Sequence, residues 1–216
     1  IIRSTLYIYF YLKKNESITK WKSDSFYAKN LLKNSWPLII SGLSLAIYMR
    51  IDQVMLRNMV SAVAVGNYAV AVKLSGIWYF IPMSVISSVF PSIINSKKDS
   101  LRKYNNRLQY LYTILVFIAF IIAVPMTFLS DFLVQFLFGS EYIDAGKVLS
   151  IHIWAGIFVF MGVARSKWII NENYQFYGML FNIIGAVTNV LLNLIFIPKY
   201  GIVGAAWATV ISQALS

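Results

Sequence analysis

The sequence predicts an all-α bundle of membrane-spanning helices, on three observations. Hydrophobic residues make up 59% of the 216 residues and charged residues only 12%, whereas soluble domains carry about 45–50% apolar and roughly 25% charged residues. The mean hydropathy is +0.67. The apolar residues form runs of about 20 or more, the length that a helix needs to cross a bilayer. Soluble globular and disordered classes are therefore excluded, and the ten-residue alternation of a membrane β-barrel is not seen.

Five long apolar segments lie between the two ends of the sequence, at residues 36–56, 65–94, 108–128, 148–170 and 176–197. Each predicts one crossing. The second is longer than a crossing requires and contains Gly76 and Pro82, so we expect a kink or tilt there. Residues 129–147 are expected to form a short amphipathic helix at the outer surface, followed by a turn at 138–140.

Both ends of the sequence lie within apolar stretches, IIRSTLYIYFYL and IVGAAWATVISQALS. We therefore expect an internal piece of a longer polytopic membrane protein, with roughly seven crossings when the partial segments are included. No cysteine is present, which excludes disulfides and thiolate metal sites.

Basic residues are concentrated in one set of loops. Loops 13–33, 96–107 and 165–175 hold 13 of the 19 Lys and Arg residues, while loops 57–64, 129–147 and 198–201 hold three. The positive-inside rule then predicts that the first set faces the cytoplasm. The net charge of +11 is thereby explained by topology, and it does not indicate a nucleic-acid partner.

Three charged residues inside the predicted crossings are candidate site residues. Arg50 and Asp52 point to nearly opposite faces of their helix, so each needs its own partner, a cavity or the interface. They line a water-filled path or reach the nearby outer interface by snorkelling, and the sequence leaves both readings open. Lys73 in the second crossing is either a substrate cation or an anchor at the interface.

The fifth crossing carries a stripe of amide and small residues on one face, which indicates interhelical hydrogen bonds or a wet cavity. Small residues also repeat at four-residue spacing in the last segment and predict close helix approach. The members of the two patterns are Asn182, Gly185, Ala186, Asn189 and Asn193, and then Gly204, Ala208 and Ser212.

The sequence shows no sign of an enzyme or of a cofactor site. It contains no Gly-rich phosphate loop, no cluster with metal-ligand spacing and no long loop for a catalytic domain. We therefore predict neither catalytic residues, nor a cofactor, nor a metal site.

Four segments between about 52 and 212 carry a family resemblance, in this order: IDQVMLRNMVSAVAVGNYAVAVKL, SSVFPSI, FLFGSEYIDAGKVLSI and IPKYGIVGAAWATVIS. The sequence resembles the polysaccharide transporter family, the O-antigen or lipid-linked oligosaccharide flippases, within a superfamily that includes multidrug extruders. The resemblance implies two six-helix lobes facing a central cavity. Residues 1–12 would be the tail of a preceding helix, 13–33 a basic cytoplasmic linker and 34–216 the second lobe, truncated in its last helix. The missing first lobe would form the other cavity wall.

The resemblance also implies a function, namely transfer of an undecaprenyl-pyrophosphate-linked oligosaccharide across the bacterial cytoplasmic membrane by alternating access. An ion gradient, of H⁺ or Na⁺, would drive it. The expected substrate-binding residues are Arg50 for the pyrophosphate, Lys73 as a second cation, Asp52 to hold a cation or orient its neighbours, and Asn189. The alternatives are a drug or cation antiporter on the same fold and a polytopic glycan polymerase.

Overall fold

The computed structural model describes Tyr9 and residues 24–216. The predicted helix tail at 1–12 and the first part of the predicted linker therefore lie outside the described residues, apart from Tyr9. The chain divides into two compact units, residues 1–36 and 37–216. In the first unit, the side chain of Asp24 accepts a hydrogen bond of 2.8 Å from the backbone N–H of Phe26, at the start of a helix.

The described residues form helices and no strand, so the prediction of an all-α fold is confirmed. The helices are α1 Ser25–Met59, α2 Ala62–Gly76, α3 Phe80–Ser96, α4 Leu101–Phe138, α5 Ile143–His152, α6 Ala155–Asn171 and α7 Gln175–Leu215. Short 3₁₀ turns join α2 to α3 at Ile77–Tyr79 and α4 to α5 at Ser140–Tyr142.

Four helical stretches are long and apolar enough to cross a membrane, and α5 with α6 makes a fifth as a pair bent by 52°. The chain is thus a multi-pass membrane protein. The roughly seven predicted crossings included residues 1–12, of which the structure describes Tyr9 alone, and counted the two parts of α7 separately. The four stretches are Ser35–Met59, Ala62–Ser96, Leu101–Phe138 and Gln175–Leu215.

A kink or tilt was expected in the second crossing, and the α-helix is interrupted there after Gly76. There α2 ends, and a 3₁₀ turn leads into α3. Pro82 lies in the first turn of α3, where its missing N–H has no helical acceptor to lose. Ser61 begins α2 as its N-cap, accepting a 3.1 Å hydrogen bond from the backbone N–H of Ala64.

The prediction of a separate amphipathic surface helix after the third crossing is wrong. Residues 129–138 continue α4 as one helix, because α5 packs tightly against this part of it. A Cβ on Gly146 would lie 2.9 Å from the Cα of Asp131, so the glycine allows the two backbones to approach closely. The predicted turn at 138–140 is confirmed, since Gly139 ends α4 with a φ of 86°.

Two other predicted boundaries are corrected by the structure. The fourth crossing was expected to be continuous over 148–170, but it breaks at residues 153–154, between α5 and α6. Residues 165–170 were assigned both to the fourth crossing and to the basic loop 165–175, and the structure places them in α6, which extends to Asn171. Arg165 and Lys167 are therefore helical residues, which fixes the direction of their side chains.

Helix α7 consists of two arms that fold back on each other at Gly201, whose φ of 57° and ψ of −133° interrupt the helix. The first arm covers residues 175–200 and the second arm residues 202–215. A Cβ on Gly204 would lie 2.6 Å from the carbonyl carbon of Phe196. This close approach agrees with the small-residue repeat predicted from the sequence.

One end of the bundle carries the basic segments 96–107 and 165–175, and we call it the basic pole. The α3–α4 and α6–α7 turns meet there, because Lys97 forms a 2.7 Å ion pair with Glu172. The two segments therefore share one end of the molecule, as the sequence predicted. At the opposite end, the ring of Tyr142 lies 3.7 Å from the position of a Cβ on Gly66.

Candidate functional site

Buried polar side chains from α1, α2 and both arms of α7 meet in the part of the bundle toward the end opposite the basic pole. We call this group the Asp52 cluster. Tyr48 and Asp52 come from consecutive turns of α1, so the helix itself places them on one face. The full set is buried and consists of Tyr48, Asp52, Tyr68, Asn189, Asn193, Thr209 and Ser212.

The carboxylate of Asp52 is held by neutral donors. Its Oδ2 atom accepts hydrogen bonds from the hydroxyl of Tyr68 at 2.7 Å and from Thr209 Oγ1 at 2.8 Å. Its Oδ1 atom accepts from the amide of Asn193 at 2.5 Å. No ion pair among the described residues includes Asp52. A buried carboxylate without a cation is costly, so this arrangement favours the arrival of a proton or a metal cation.

The cluster holds more acceptors than donors. Thr209 Oγ1 has one hydrogen, but it lies within hydrogen-bond distance of both Asp52 and the carbonyl oxygen of Ala205, at 2.8 and 3.1 Å. The Oδ1 atom of Asn193 is buried and has no hydrogen-bond partner among the residues that the structure describes. Carboxylate, amide and carbonyl oxygens are the ligands that hard cations prefer.

The amides of α7 connect the carboxylate to a second hydroxyl pair. Asn193 also donates to Asn189 Oδ1 at 3.1 Å, and Asn189 lies 3.4 Å from Ser212 Oγ. Ser212 Oγ is 2.9 Å from the hydroxyl of Tyr48, which also donates to the carbonyl oxygen of Thr209 at 3.2 Å. The network therefore joins α1 to both arms of α7.

A cavity of about 340 Å³ lies between Tyr48 and the basic pole, enclosed by α1, α3, α6 and α7. We call it the α1–α6 cavity. Its walls are mainly apolar, with Leu38 and Leu45 of α1 facing Val159 and Val163 of α6. Tyr48 lines the cavity as well as belonging to the Asp52 cluster.

The charged residues that line the α1–α6 cavity are both cations. Arg165 and Lys167 belong to the lining, and no Asp or Glu of the described part of the chain does. Arg165 is half-buried; it donates to the backbone carbonyl of Ser216, and its guanidinium carbon lies 5.5 Å from the ring centroid of Phe181.

A second group of polar contacts closes the basic pole. Glu172 accepts hydrogen bonds from Lys97 Nζ at 2.7 and 2.9 Å, from the hydroxyl of Tyr104 at 2.8 Å and from the amide of Asn171 at 3.1 Å. The hydrogen bonds from Lys97 and then from Tyr104 lower the pKa of Glu172 below its usual range. This group links the α3–α4 turn to the α6–α7 turn, and we call it the Glu172 clasp.

The four predicted site residues lie in two kinds of place. Asp52 and Asn189 belong to the same cluster, where Asn193 donates to both. Arg50 and Lys73 are exposed, and neither belongs to the lining of the α1–α6 cavity. The role of all four in substrate binding stays a prediction.

Sequence reasoning missed Tyr68, Thr209, Tyr48 and Arg165. A signal existed for the first two, because Asp52 is the one carboxylate in the predicted crossings and a buried carboxylate requires donors on neighbouring helices. No comparable signal singled out Arg165, which was counted as a cation of a cytoplasmic loop.

Comparisons with known proteins agree with this architecture. A family model described as "Polysaccharide biosynthesis protein" matches residues 1–147. The "Probable low-salt glycan biosynthesis flippase Agl15" of Haloferax volcanii is 26% identical over 203 residues, which cover 92% of this chain and 42% of that protein. The "Probable flippase AglR" of the same organism is 26% identical over 183 residues, covering 78% of this chain and 36% of that protein.

The chain thus spans about two fifths of the length of these curated relatives. No solved structure matches it. Because the family match covers more than half of the 216 residues, the chain belongs to the polysaccharide biosynthesis protein family, which confirms the resemblance to polysaccharide flippases.

Proposed function

We propose that the protein is a flippase that moves an undecaprenyl-pyrophosphate-linked oligosaccharide across the cytoplasmic membrane of a bacterium. The observation that carries this proposal is the family match to residues 1–147, together with two relatives named as probable flippases. In this proposal residues 34–216 form the second of two lobes, after a helix tail at 1–12 and a linker at 13–33. The two lobes rock about a central site and expose it to each side in turn.

The distribution of cations supports an orientation for this lobe. Segments 96–107 and 165–175 lie at one end of the bundle, and with loop 13–33 they hold most of the Lys and Arg residues. By the positive-inside rule, the basic pole faces the cytoplasm. The Asp52 cluster then lies in the half of the lobe toward the outer face, and the α1–α6 cavity lies in the cytoplasmic half.

The Asp52 cluster is the proposed site of the coupling ion, H⁺ or Na⁺. A proton would neutralise the Asp52 carboxylate while Tyr68 and Thr209 kept their contacts with it. A sodium ion would find the carboxylate, the Asn193 Oδ1 atom that lacks a partner and the Ala205 carbonyl, all of them oxygen ligands. Because α1, α2 and both arms of α7 supply these groups, occupancy changes how firmly those segments are held together.

Arg50 and Lys73 are proposed to contact the pyrophosphate in the cavity between the lobes. Arg50 lies nine residues before the end of α1, about 14 Å from it, and Lys73 lies eleven residues into α2, about 17 Å. Both side chains are exposed, and no ion pair among the described residues includes either. Exposed cations at such depth require water or an anion beside them.

Transport by the intact protein tests the proposal directly. The full-length protein is reconstituted in vesicles that carry the lipid-linked oligosaccharide in the inner leaflet, and exposure of the sugar to an external glycosidase is followed over time. We expect exposure above that of vesicles without protein. An equal rate in both preparations contradicts the flippase, and efflux of a cationic dye without lipid transfer indicates the antiporter instead.

The ion site has its own test in the same vesicles. Asp52→Asn keeps the size of the side chain but removes its charge and replaces one acceptor oxygen with an amide donor. A hydrogen bond to a charged group contributes about 1.5–3 kcal/mol, so we expect the ion-driven rate to fall at least about tenfold. Asp144→Asn, at an exposed carboxylate paired with Lys147, is the matched control and leaves the rate unchanged. An Asp52→Asn variant that responds fully to the gradient removes the cluster as the ion site.

A further inference from the structure

The buried apolar residues of the bundle form two separate cores. The pole core comes from α3, α6 and residues 104–119 of α4, and it includes Tyr104, which donates to Glu172 at the basic pole. The distal core comes from α1, α2, α5, α7 and residues 123–134 of α4. Among the described residues, neither α1 nor α7 contributes to the pole core. The members of the pole core are Ile86, Phe90, Ile93, Tyr104, Leu111, Leu115, Ala119, Ile157, Phe160 and Ala164.

Three crossings are interrupted or weakened at the boundary between the two cores. Helix α2 gives way to α3 at Ile77–Tyr79, and α5 gives way to α6 at residues 153–154 with a bend of 52°. Trp78 and Trp154 lie in these two breaks, and each packs against both cores. Helix α4 continues through the boundary, but Pro125 has no backbone N–H to donate there, which weakens the helix. These three crossings therefore bend most easily at one level of the bundle.

The helices on each side of the boundary are held to one another. On the distal side α2 packs against α5, and the buried Ser75 Oγ lies 2.8 Å from Nδ1 of the buried His152, so that the ends of both helices are joined. On the other side α3 packs against α6, and the Glu172 clasp joins the α3–α4 turn to the α6–α7 turn. Helix α3, residues 101–119 of α4 and helix α6 thus form one unit, which we call the pole unit.

Gly76 and Gly156 border the two breaks, and close packing does not require either of them. A Cβ on either glycine would meet nothing within 4 Å, whereas a Cβ on Gly146 would meet the backbone of Asp131. Glycine destabilises a helix relative to alanine, but it allows changes of φ and ψ that alanine resists. Hinges consist of a few residues at the ends of helices that absorb such changes. The position of both glycines therefore favours a change of backbone angle at the breaks.

We propose that the lobe contains a hinge of its own at this boundary. The pole unit changes its angle to the rest of the lobe during transport, and it turns about Ile77–Tyr79, Pro125 and residues 153–154. This inference rests on the proposed function, in which two lobes rock about a central site, and it adds a movement within one of them.

The hinge is linked to the Asp52 cluster through two buried side chains. The rings of His152 and Tyr68 are in edge-to-face contact, with 6.0 Å between their centroids. The hydroxyl of Tyr68 donates to Asp52 at 2.7 Å. An ion that binds Asp52 acts on Tyr68, and thereby on the end of α5 where the chain bends, so the ion changes the populations of the two hinge angles.

Distances between spin labels in a cysteine-free form of the intact protein test the hinge. One pair of labels is attached through Tyr110→Cys on the pole unit and Ile143→Cys on α5, and a control pair through Met83→Cys and Leu101→Cys, both on the pole unit; all four positions are exposed. Distances are measured in lipid vesicles with sodium or potassium chloride, at acidic and at neutral pH. We expect two distances for the first pair, with populations that depend on the ion, and one unchanged distance for the control pair.

The same labels show which result overturns the proposal. A single Tyr110–Ile143 distance under all conditions means that the lobe does not bend. Equal changes in both pairs mean that the pole unit is not rigid, which also overturns the hinge. In Asp52→Asn we expect the populations to lose their dependence on the ion. An unchanged dependence in that variant would overturn the link to the Asp52 cluster.

Stiffening the two breaks tests whether transport needs the hinge. Alanine favours the helical backbone that Gly76 and Gly156 have here by about fivefold at each position. We expect the double variant Gly76→Ala and Gly156→Ala to slow transport in vesicles about fivefold or more, without loss of thermal stability. Gly42→Ala, at a position of α1 where a Cβ also meets nothing within 4 Å, is the matched control and should transport normally. Transport at the wild-type rate by the double variant overturns the role of the hinge.

The outcomes also distinguish this inference from the proposed function. A protein that transports the lipid-linked oligosaccharide with a single Tyr110–Ile143 distance is a flippase whose lobe moves as one body, and the hinge is then wrong. A protein with two ion-dependent distances that does not transport the lipid retains the hinge but contradicts the flippase.

Discussion

The Asp52 cluster and the α1–α6 cavity each contain a charged side chain within the membrane-spanning part of the bundle. The two side chains differ in burial and in the number of hydrogen bonds that they make. Asp52 is buried and accepts three hydrogen bonds from Tyr68, Thr209 and Asn193. Arg165 is half-buried at an open wall and keeps most of its donors free of contacts with the described residues. The first arrangement surrounds a buried carboxylate with neutral donors, and the second leaves guanidinium donors available at the wall of a cavity.

The glycines of the two regions show the same difference. Gly204 lies where the two arms of α7 touch, and a Cβ there would meet the backbone of Phe196. Gly162 lines the α1–α6 cavity, and a Cβ there would meet nothing within 4 Å. The cluster therefore depends on close backbone packing, whereas the cavity has room that packing does not require.

The largest expected effect follows from this pair of glycines. Gly204→Ala forces the arms of α7 apart and should lower the free energy of unfolding by about 3 kcal/mol, the upper part of the usual range for overpacking. Gly162→Ala is the control at a position with open space, and it should leave stability unchanged or raise it slightly, because alanine favours a helix. Thermal unfolding of the intact protein in detergent measures both. Equal losses in the two variants would contradict the comparison.

The parts of this fold that depend on composition and local pattern could be predicted, and the contacts between distant residues could not. The amides of Asn189 and Asn193 were recognised because they repeat along one helix face. Their contact with Asp52 could not be read from the sequence, since Asn193 and Asp52 are 141 residues apart and meet only when α1 packs against α7. The continuation of α4 past residue 128 and the break at residues 153–154 were missed, because the course of a helix in the interface depends on packing partners, such as Gly146, rather than on hydropathy.

The charge of Arg165 illustrates the same limit. Arg165 precedes a polar stretch of the sequence, which indicates a solvated loop. Arg165 lies instead within α6, which ends at Asn171, and against the ring of Phe181. The predicted crossing at 148–170 and the predicted loop at 165–175 overlapped at Arg165, and the sequence did not decide between them.

Thr209→Val tests how much the hydrogen bonds of the Asp52 cluster contribute to stability. Valine has nearly the same shape but leaves Asp52 Oδ2 with one donor fewer, so the free energy of unfolding should fall by about 1–2 kcal/mol. Thr113→Val is the matched control, because the exposed Thr113 hydroxyl donates only to a carbonyl of its own helix at 3.0 Å. Urea or thermal unfolding compares the two variants. A loss for Thr113→Val as large as that for Thr209→Val would show that the cluster adds no stability.

Tyr48 contacts both regions and should connect them. Tyr48→Phe keeps the ring in the wall of the cavity but removes the hydroxyl that bonds Ser212 and the carbonyl of Thr209. If ion binding in the Asp52 cluster is linked to binding of the lipid-linked substrate, the ion should change the affinity of the wild type for that substrate by about fivefold or more. In Tyr48→Phe we expect the ratio of the affinities with and without the ion to approach one, while the substrate still binds without the ion. Tyr79→Phe, also in the cavity wall, is the control. An unchanged ratio in Tyr48→Phe means that the two regions act independently.

The smallest expected effect concerns the Glu172 clasp, which closes the basic pole beneath the cavity. The pKa of Glu172 is lowered in the folded protein, mainly by the hydrogen bonds from Lys97 and Tyr104. The clasp therefore contributes its full stability above the ordinary glutamate pKa of about 4.3, and the contribution disappears as the pH falls through the lowered value. Since partly exposed ion pairs contribute little, Glu172→Gln should reduce stability at pH 7 by less than about 1 kcal/mol.

The pH dependence separates this contribution from a mere loss of packing. Glu172→Gln should be less stable than the wild type at pH 7, and the two proteins should converge as the pH falls through the lowered pKa of Glu172, where the wild-type carboxylate takes up its proton. Asp99→Asn, which breaks an exposed i,i+4 pair with Lys103, is the control for charge at the same pole. A difference between wild type and Glu172→Gln that is constant over this pH range would mean that the side chain acts through its shape, and that the ion pair with Lys97 does not hold the pole together.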